Sequence, residues 1–104
     1  MPIVTVTVTD GNITCHPDPV VVAGGNNVLS FNLVTPGYAF PLNGAVALKK
    51  SDPDFPYEPW AVQSSQTVLL DLCTAKGLHA YSVSVVEVAT GKVLTVDPGI
   101  QNDP

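Results

Sequence analysis

Apolar and polar residues alternate with a period of two along most of the chain. Ile3 to Thr9 reads Ile-Val-Thr-Val-Thr-Val-Thr, which sets Val4, Val6 and Val8 on one face and the threonines on the other. Valine and threonine lose side-chain freedom in a helix and suit a pleated, half-buried surface, so the pattern predicts a strand with one solvated face. Asp10-Gly11-Asn12 predicts a tight turn, with Gly11 and Asn12 taking positive φ. A short second strand follows over Ile13 to His16. Pro17 and Pro19 cannot donate to a ladder, so the next segment is expected to be an edge or a crossing between sheets.

Val20 to Ala23 and Val28 to Val34 are predicted strands, joined through the hairpin signal Gly24-Gly25-Asn26-Asn27. In the return strand Leu29, Phe31 and Leu33 oppose Ser30 and Asn32. Shorter signals cover Tyr38 to Phe40 and Ala45 to Leu48. Gln66 to Cys73 resumes the alternation, with Val68, Leu70 and Leu72 on one face, and Ala75 to Leu78 turns the chain. Tyr81, Val83 and Val85 alternate against Ser82 and Ser84, then Val86 and Val88 continue in the opposite phase, as a β-bulge produces. Thr90-Gly91 closes a hairpin onto Lys92 to Val96, and the polar tail Asp97 to Pro104 is expected to wrap the surface.

No stretch of about ten residues carries the helical period, and no linker or fixed-period repeat divides the chain. The expectation is a single all-β domain over residues 1–104: a two-sheet antiparallel β-sandwich, immunoglobulin-like, of about seven to eight strands. Its core is assigned to Val4, Val6, Val8, Leu29, Phe31, Leu33, Val68, Leu70, Leu72, Tyr81, Val83 and Val85.

Composition narrows the partners. With 45% hydrophobic and 12% charged residues over 104 positions, the chain has the balance of a folded domain, opposite to that of a disordered one. Four lysines, no arginine and nine acids give a net charge of −5. Counterion release from phosphates needs clustered cations, so nucleic acid and anionic membranes are excluded as partners. The start of the chain reads as a strand and lacks the basic start, apolar run and small-residue cleavage site of a secretory leader. No run approaches the roughly 18 apolar residues of a membrane span. A cytoplasmic location is the expectation. Cys15 and Cys73 are the only cysteines; free buried thiols are expected, with a sandwich-spanning disulfide as the alternative. The sequon Asn12-Ile13-Thr14 has meaning only in a secreted protein.

Two resemblances enter at this point. Ile13-x-Cys15-x-Pro17-Asp18-Pro19-Val20, Gly37-Tyr38-x-Phe40, Glu58-Pro59, and the ending Thr90-Gly91-Lys92 … Asp97-Pro98-x-Ile100-x-Asn102-x-Pro104 resemble the small bacterial DP-EP family over the whole chain. That resemblance implies an immunoglobulin-like sandwich of two antiparallel sheets and supplies no catalytic residues. Pro17-x-x-Val20-x-Val22-x-x-Gly25 followed by Val28-x-Ser30-Phe31 is similar to the opening of a cupredoxin-type sandwich. A blue-copper site needs two histidines, a cysteine and usually an axial methionine. Here the only methionine is Met1 and no histidine follows Cys73 until His79, so the likeness supports the architecture and argues against copper.

Candidate chemistry is sparse. Cys15 and His16 are adjacent on a predicted strand and point to opposite faces, so a Cys₂His₂ metal site would break that strand. There is no Gly-x-Ser-x-Gly elbow and no Cys–His spacing of a known nucleophile. Without arginine there is no bidentate clamp for phosphate or carboxylate, and Gly24-Gly25 precedes no helix that would make it a phosphate cradle. The chain therefore reads as a non-enzyme with no assigned cofactor, metal or catalytic residue.

Ser51 to Trp60 is the distinctive segment, with three prolines, three acids and three aromatics. Phe55, Tyr57 and Trp60 are residue types that dominate interface energies. Asp52, Asp54, Phe55, Tyr57, Glu58 and Trp60 are the candidate partner-binding residues. Folding back of the aromatics to cap the sandwich is one alternative. Calcium on Asp52, Asp54 and Glu58 is another, although EF-hand spacing is missing. Sparsely charged Val-Thr strands, partly guarded by Pro2, Pro17 and Pro19, also allow a homodimer by edge or face pairing. The function expected is that of a non-catalytic binding or structural module acting by protein–protein contact or self-association. The alternative is a cupredoxin-like metal or small-ligand site using His16, His79 or a cysteine.

Overall fold

The computed structural model describes residues 2–104, and those residues form strands and no helix. The strands are β1 (Ile3–Thr9), β2 (Asn12–His16), β3 (Val20–Ala23), β4 (Asn27–Leu33), β5 (Tyr38–Ala39), β6 (Val46–Leu48), β7 (Trp60–Gln63), β8 (Gln66–Asp71), β9 (Gly77–Glu87), β10 (Val93–Val96) and β11 (Gly99–Asp103). Among the described residues no helix is long and apolar enough to cross a membrane.

Two sheets face each other. One runs in the order β2-β1-β4-β8-β7 and the other in the order β10-β9-β11-β3. Val83 of β9 pairs with Val96 of β10 on one edge and Val46 of β6 on the other, so β5 and β6 flank β9 opposite β10. The expected two-sheet sandwich is the architecture, with two differences. Among the described residues there are eleven strands rather than seven or eight: β7 and β11 were not expected as strands, and the short signals of β5 and β6 form separate strands. The sheets are also mixed, since β1 runs parallel to β4 and β3 parallel to β11.

The crossings explain the parallel pairs. β1 and β2 form a hairpin about Asp10-Gly11, whose φ values of 52° and 76° make the two-residue turn; Asn12 already belongs to β2 and pairs with Thr9. Pro17 to Pro19 then carry the chain from β2 in the first sheet to β3 in the second, the crossing expected of them. Gly24 to Asn26 carry it back. The predicted β3–β4 hairpin is therefore incorrect: positive φ at Gly24 and Asn26 serves a second crossing, and the two strands lie in different sheets. Two crossings bring β4 back beside β1 in the same direction.

The core includes Val4, Val6, Val8, Leu29, Phe31, Leu33, Tyr81, Val83 and Val85, as expected; Val68 is buried too, but on the outer face of its sheet. Phe31 and Tyr81 meet edge to face across the two sheets, with ring centroids 5.5 Å apart. On β8 the expected face is wrong. Leu29 pairs with Leu69 and Phe31 with Thr67, and cross-strand partners share a face. Thr67, Leu69, Asp71 and Cys73 accordingly point inward, while Leu70 and Leu72 are only half-buried on the outer face. Two other expectations fail. β9 carries no bulge at Val85–Val86, because its pairing with β10 is continuous from Val83 to Val86 and Val88 lies beyond the strand. The tail does not wrap the surface: β11 sits between β9 and β3, with Ile100 and Asn102 fully buried.

Candidate functional site

One end of the sandwich holds a buried polar cluster, and the Ser51–Trp60 segment lies over it. Asp52 starts a turn: its Oδ1 accepts the Asp54 amide at 2.9 Å and its carbonyl accepts the Phe55 amide at 3.0 Å. That turn drives Asp54 inward, where it is 3% exposed. The Asp54 carbonyl accepts Leu72 N–H at 2.8 Å, and its carboxylate accepts the amides of Thr74 and Ala75, the Thr74 hydroxyl and, at 3.4 Å, Asn102 Nδ2. Burial pushes this carboxyl up, but the hydrogen bonds from Thr74, Ala75 and Asn102 outweigh it and hold the group below its ordinary value.

Asp71 on β8 and Asn102 on β11 complete the cluster from opposite sheets. Asp71 Oδ1 accepts Cys73 N–H at 2.9 Å and Asn102 Nδ2 at 3.0 Å. Burial pushes the Asp71 carboxyl above the usual carboxylate range, with the Asn102 and Cys73 hydrogen bonds pulling against it. Asp71 Oδ2 and Asn102 Oδ1 are buried without a partner.

His79 enters from β9. Its Nδ1 lies 3.8 Å from Asp52 Oδ2, and the ring meets Phe55 edge to face at 4.9 Å. Its Nε2 is buried and unpartnered and lies over Gly77, the ladder partner of Asn102. One donor atom each from Asp52, Asp54 and His79 falls within 4.8 Å of the others.

The six residues assigned to partner binding divide. Asp54 is buried, and Phe55 is half-buried against the core and His79, so these two anchor the segment. Tyr57 is 65% exposed and Trp60 45% exposed, with Glu58 exposed between them and Asp52 half-buried at the start. A groove of about 520 Å³ runs along the segment, lined by Leu48, Lys50, Asp52, Phe55, Tyr57 and Glu58 among others. A second hollow of about 390 Å³ opens beside it and reaches Asp52 and His79.

Residues named for other chemistry stay apart. His16 is exposed on β2, in the sheet opposite that of His79. Both cysteines are free and buried; the Cys73 thiol donates to the Val22 carbonyl at 3.4 Å. Burial pushes the Cys15 thiol up to about 11, with the Asp18 charge adding to the rise. Glu58 does not join Asp52 and Asp54 in a donor group. Sequence reasoning missed Asp71 and Asn102. The one available signal was an acid at alternate spacing with Thr67, Leu69 and Cys73 on a strand. No family model and no curated protein matches the chain.

Proposed function

We propose that the protein is a non-catalytic binding module that docks a cation-bearing segment of a partner protein along the groove beside Tyr57. The observation that supports this is the split of the Ser51–Trp60 segment into buried anchors, Asp54 and Phe55, and an exposed aromatic, Tyr57, over the groove. Anchoring lowers the entropy lost when a partner binds, and an exposed tyrosine offers large contact area with few rotors. Asp52 and Glu58 at the groove and the net charge of −5 favour a basic partner segment. Membership of the DP-EP family and a bacterial, cytoplasmic setting belong to the same proposal.

Trp60 is the only tryptophan, which makes its emission a local reporter. Proline-containing peptides bearing lysine and arginine should change that emission in a salt-sensitive way, and glutamate-bearing counterparts should not. Tyr57→Ala should abolish the response while moving the melting temperature by less than about 3 °C. Equal responses to both charge classes, or to neither, would overturn the reading.

Self-association is a second reading, favoured by one feature of the outer face. Ladder pairing places Ile3, Ser30, Val68 and Trp60 in one cross-strand row, with Val28 and Leu70 in the next. Ile3 is 48% and Trp60 45% exposed at the two ends of the row, with Ser30 and Val68 buried between them, so its ends offer apolar surface for a second copy. Sedimentation at high concentration tests it: a mass fixed at 10.9 kDa removes this reading.

A further inference from the structure

The docking surface leaves the polar cluster beneath it without a role. Asp54 and Asp71 are 3% and 0% exposed, yet no lysine among the described residues pairs with either; the ion pairs formed there are Lys49–Asp97 and His79–Asp52. Buried carboxylates are ordinarily paired with a cation or coordinate a metal. The partnerless Asp71 Oδ2 and Asn102 Oδ1 belong to fully buried side chains, and the Asn102 amide reaches Asp54 directly. Unsatisfied buried polar atoms in a folded protein call for a ligand or a stated reason.

We propose that Asp52, Asp54 and His79 form a binding site for a divalent transition-metal ion of the zinc class, backed by Asn102 and Asp71. Their donor atoms fall within 4.8 Å of one another. Tetrahedral ligands with bonds of about 2.0–2.2 Å stand about 3.3–3.6 Å apart, so side-chain rotations that draw the donors together by about 1 Å close the set. An imidazole among carboxylates selects zinc-class ions over calcium and magnesium, which take oxygen. Three protein donors leave further positions open, and the hollow of about 390 Å³ beside Asp52 and His79 gives an ion its way in. A histidine bound through one ring nitrogen donates its other N–H to a nearby acceptor. His79 and Asn102 share the inner face on neighbouring strands, where Asn102 Oδ1 is a free acceptor. This site is separate from the Cys₂His₂ arrangement and uses neither cysteine nor His16.

Chelator-stripped protein titrated with Zn²⁺ in a calorimeter tests the assignment, with Ca²⁺ as the comparison ion. One Zn²⁺ per chain is expected, together with a rise in melting temperature and a shift of the His79 imidazole nitrogen resonances. His79→Gln and Asp52→Asn should each weaken binding by tenfold or more, and the Asp52 side chain is 33% exposed, so the second variant keeps the fold. Absence of stoichiometric Zn²⁺ binding overturns the proposal. So does Zn²⁺ affinity unchanged in both variants, which would move the ion to another donor such as His16, and so does Ca²⁺ binding as tightly as Zn²⁺. The peptide-docking test uses Tyr57→Ala, which removes no metal donor, so the two proposals fail separately.

Discussion

Asn102 Nδ2 lies 3.0 Å from Asp71 Oδ1, and neither side chain is exposed at all. The bond joins β11 in one sheet to β8 in the other, through polar groups where alternation leads one to expect hydrocarbon. Asn102→Ala leaves Asp71 with the Cys73 amide alone and also removes a donor to Asp54. The expected cost is about 2 kcal/mol in urea unfolding, the penalty of a buried acceptor losing its partner. Asn102→Asp should cost more, because it sets a third carboxylate beside Asp54 and Asp71.

Asp71→Asn should behave differently. Burial raises the Asp71 carboxyl above its ordinary value of 3.8, so the folded state holds this proton more tightly than the unfolded chain does. Stability from this residue is full below pH 3.8 and is lost as pH rises through the raised folded value. The asparagine variant has no such loss. In chelator, its stability relative to the parent should increase from about pH 4 to pH 7. A difference independent of pH would show that Asp71 does not titrate abnormally.

The inward face of β8 can be tested with two neighbouring leucines. Leu69 is fully buried opposite Leu29, whereas Leu70 is half-buried on the outer face. Leu69→Ala should cost about 3–4 kcal/mol and Leu70→Ala about 1 kcal/mol. Equal costs would contradict the register.

Cys15 gives an alkaline signature. Its thiol titrates near 9 in the unfolded chain and at about 11 when folded. Between those values the unfolded state releases the proton while the folded state keeps it, so stability falls as pH rises from 9 to 11. In Cys15→Ala the fall over this window should be shallower by on the order of 2 kcal/mol. Alkylation of the native protein at pH 8 should be correspondingly slow at this position.

The strands were legible wherever one face was apolar and the other was not. Val4, Val6 and Val8 on β1, Leu29, Phe31 and Leu33 on β4, and Tyr81, Val83 and Val85 on β9 all lie inside as their alternation indicates. Pro17 and Pro19 marked a true crossing because a residue without an N–H cannot extend a ladder. β8 misled because both of its faces carry leucines; only its pairing with β4, a non-local fact, decides which face is inside. β11 was hidden for the same reason: Gly-Ile-Gln-Asn-Asp has one apolar residue and becomes a central strand only because β9 and β3 supply partners on both sides. The exposed part of the candidate site, Tyr57 and Trp60, was visible in composition. Of its buried part Asp54 and His79 were singled out separately, but their meeting with Asp71 and Asn102 was not legible, since the four come together only after both sheets form.

The register that sets Val20 beside Ile100 has a kinetic consequence. A pairing between positions so far apart in the chain forms only after a large loss of loop entropy, and no local hairpin can substitute for it. The docking of β3 on β11 must then come late, and refolding should run on the millisecond-to-second scale of β-proteins built from non-local contacts.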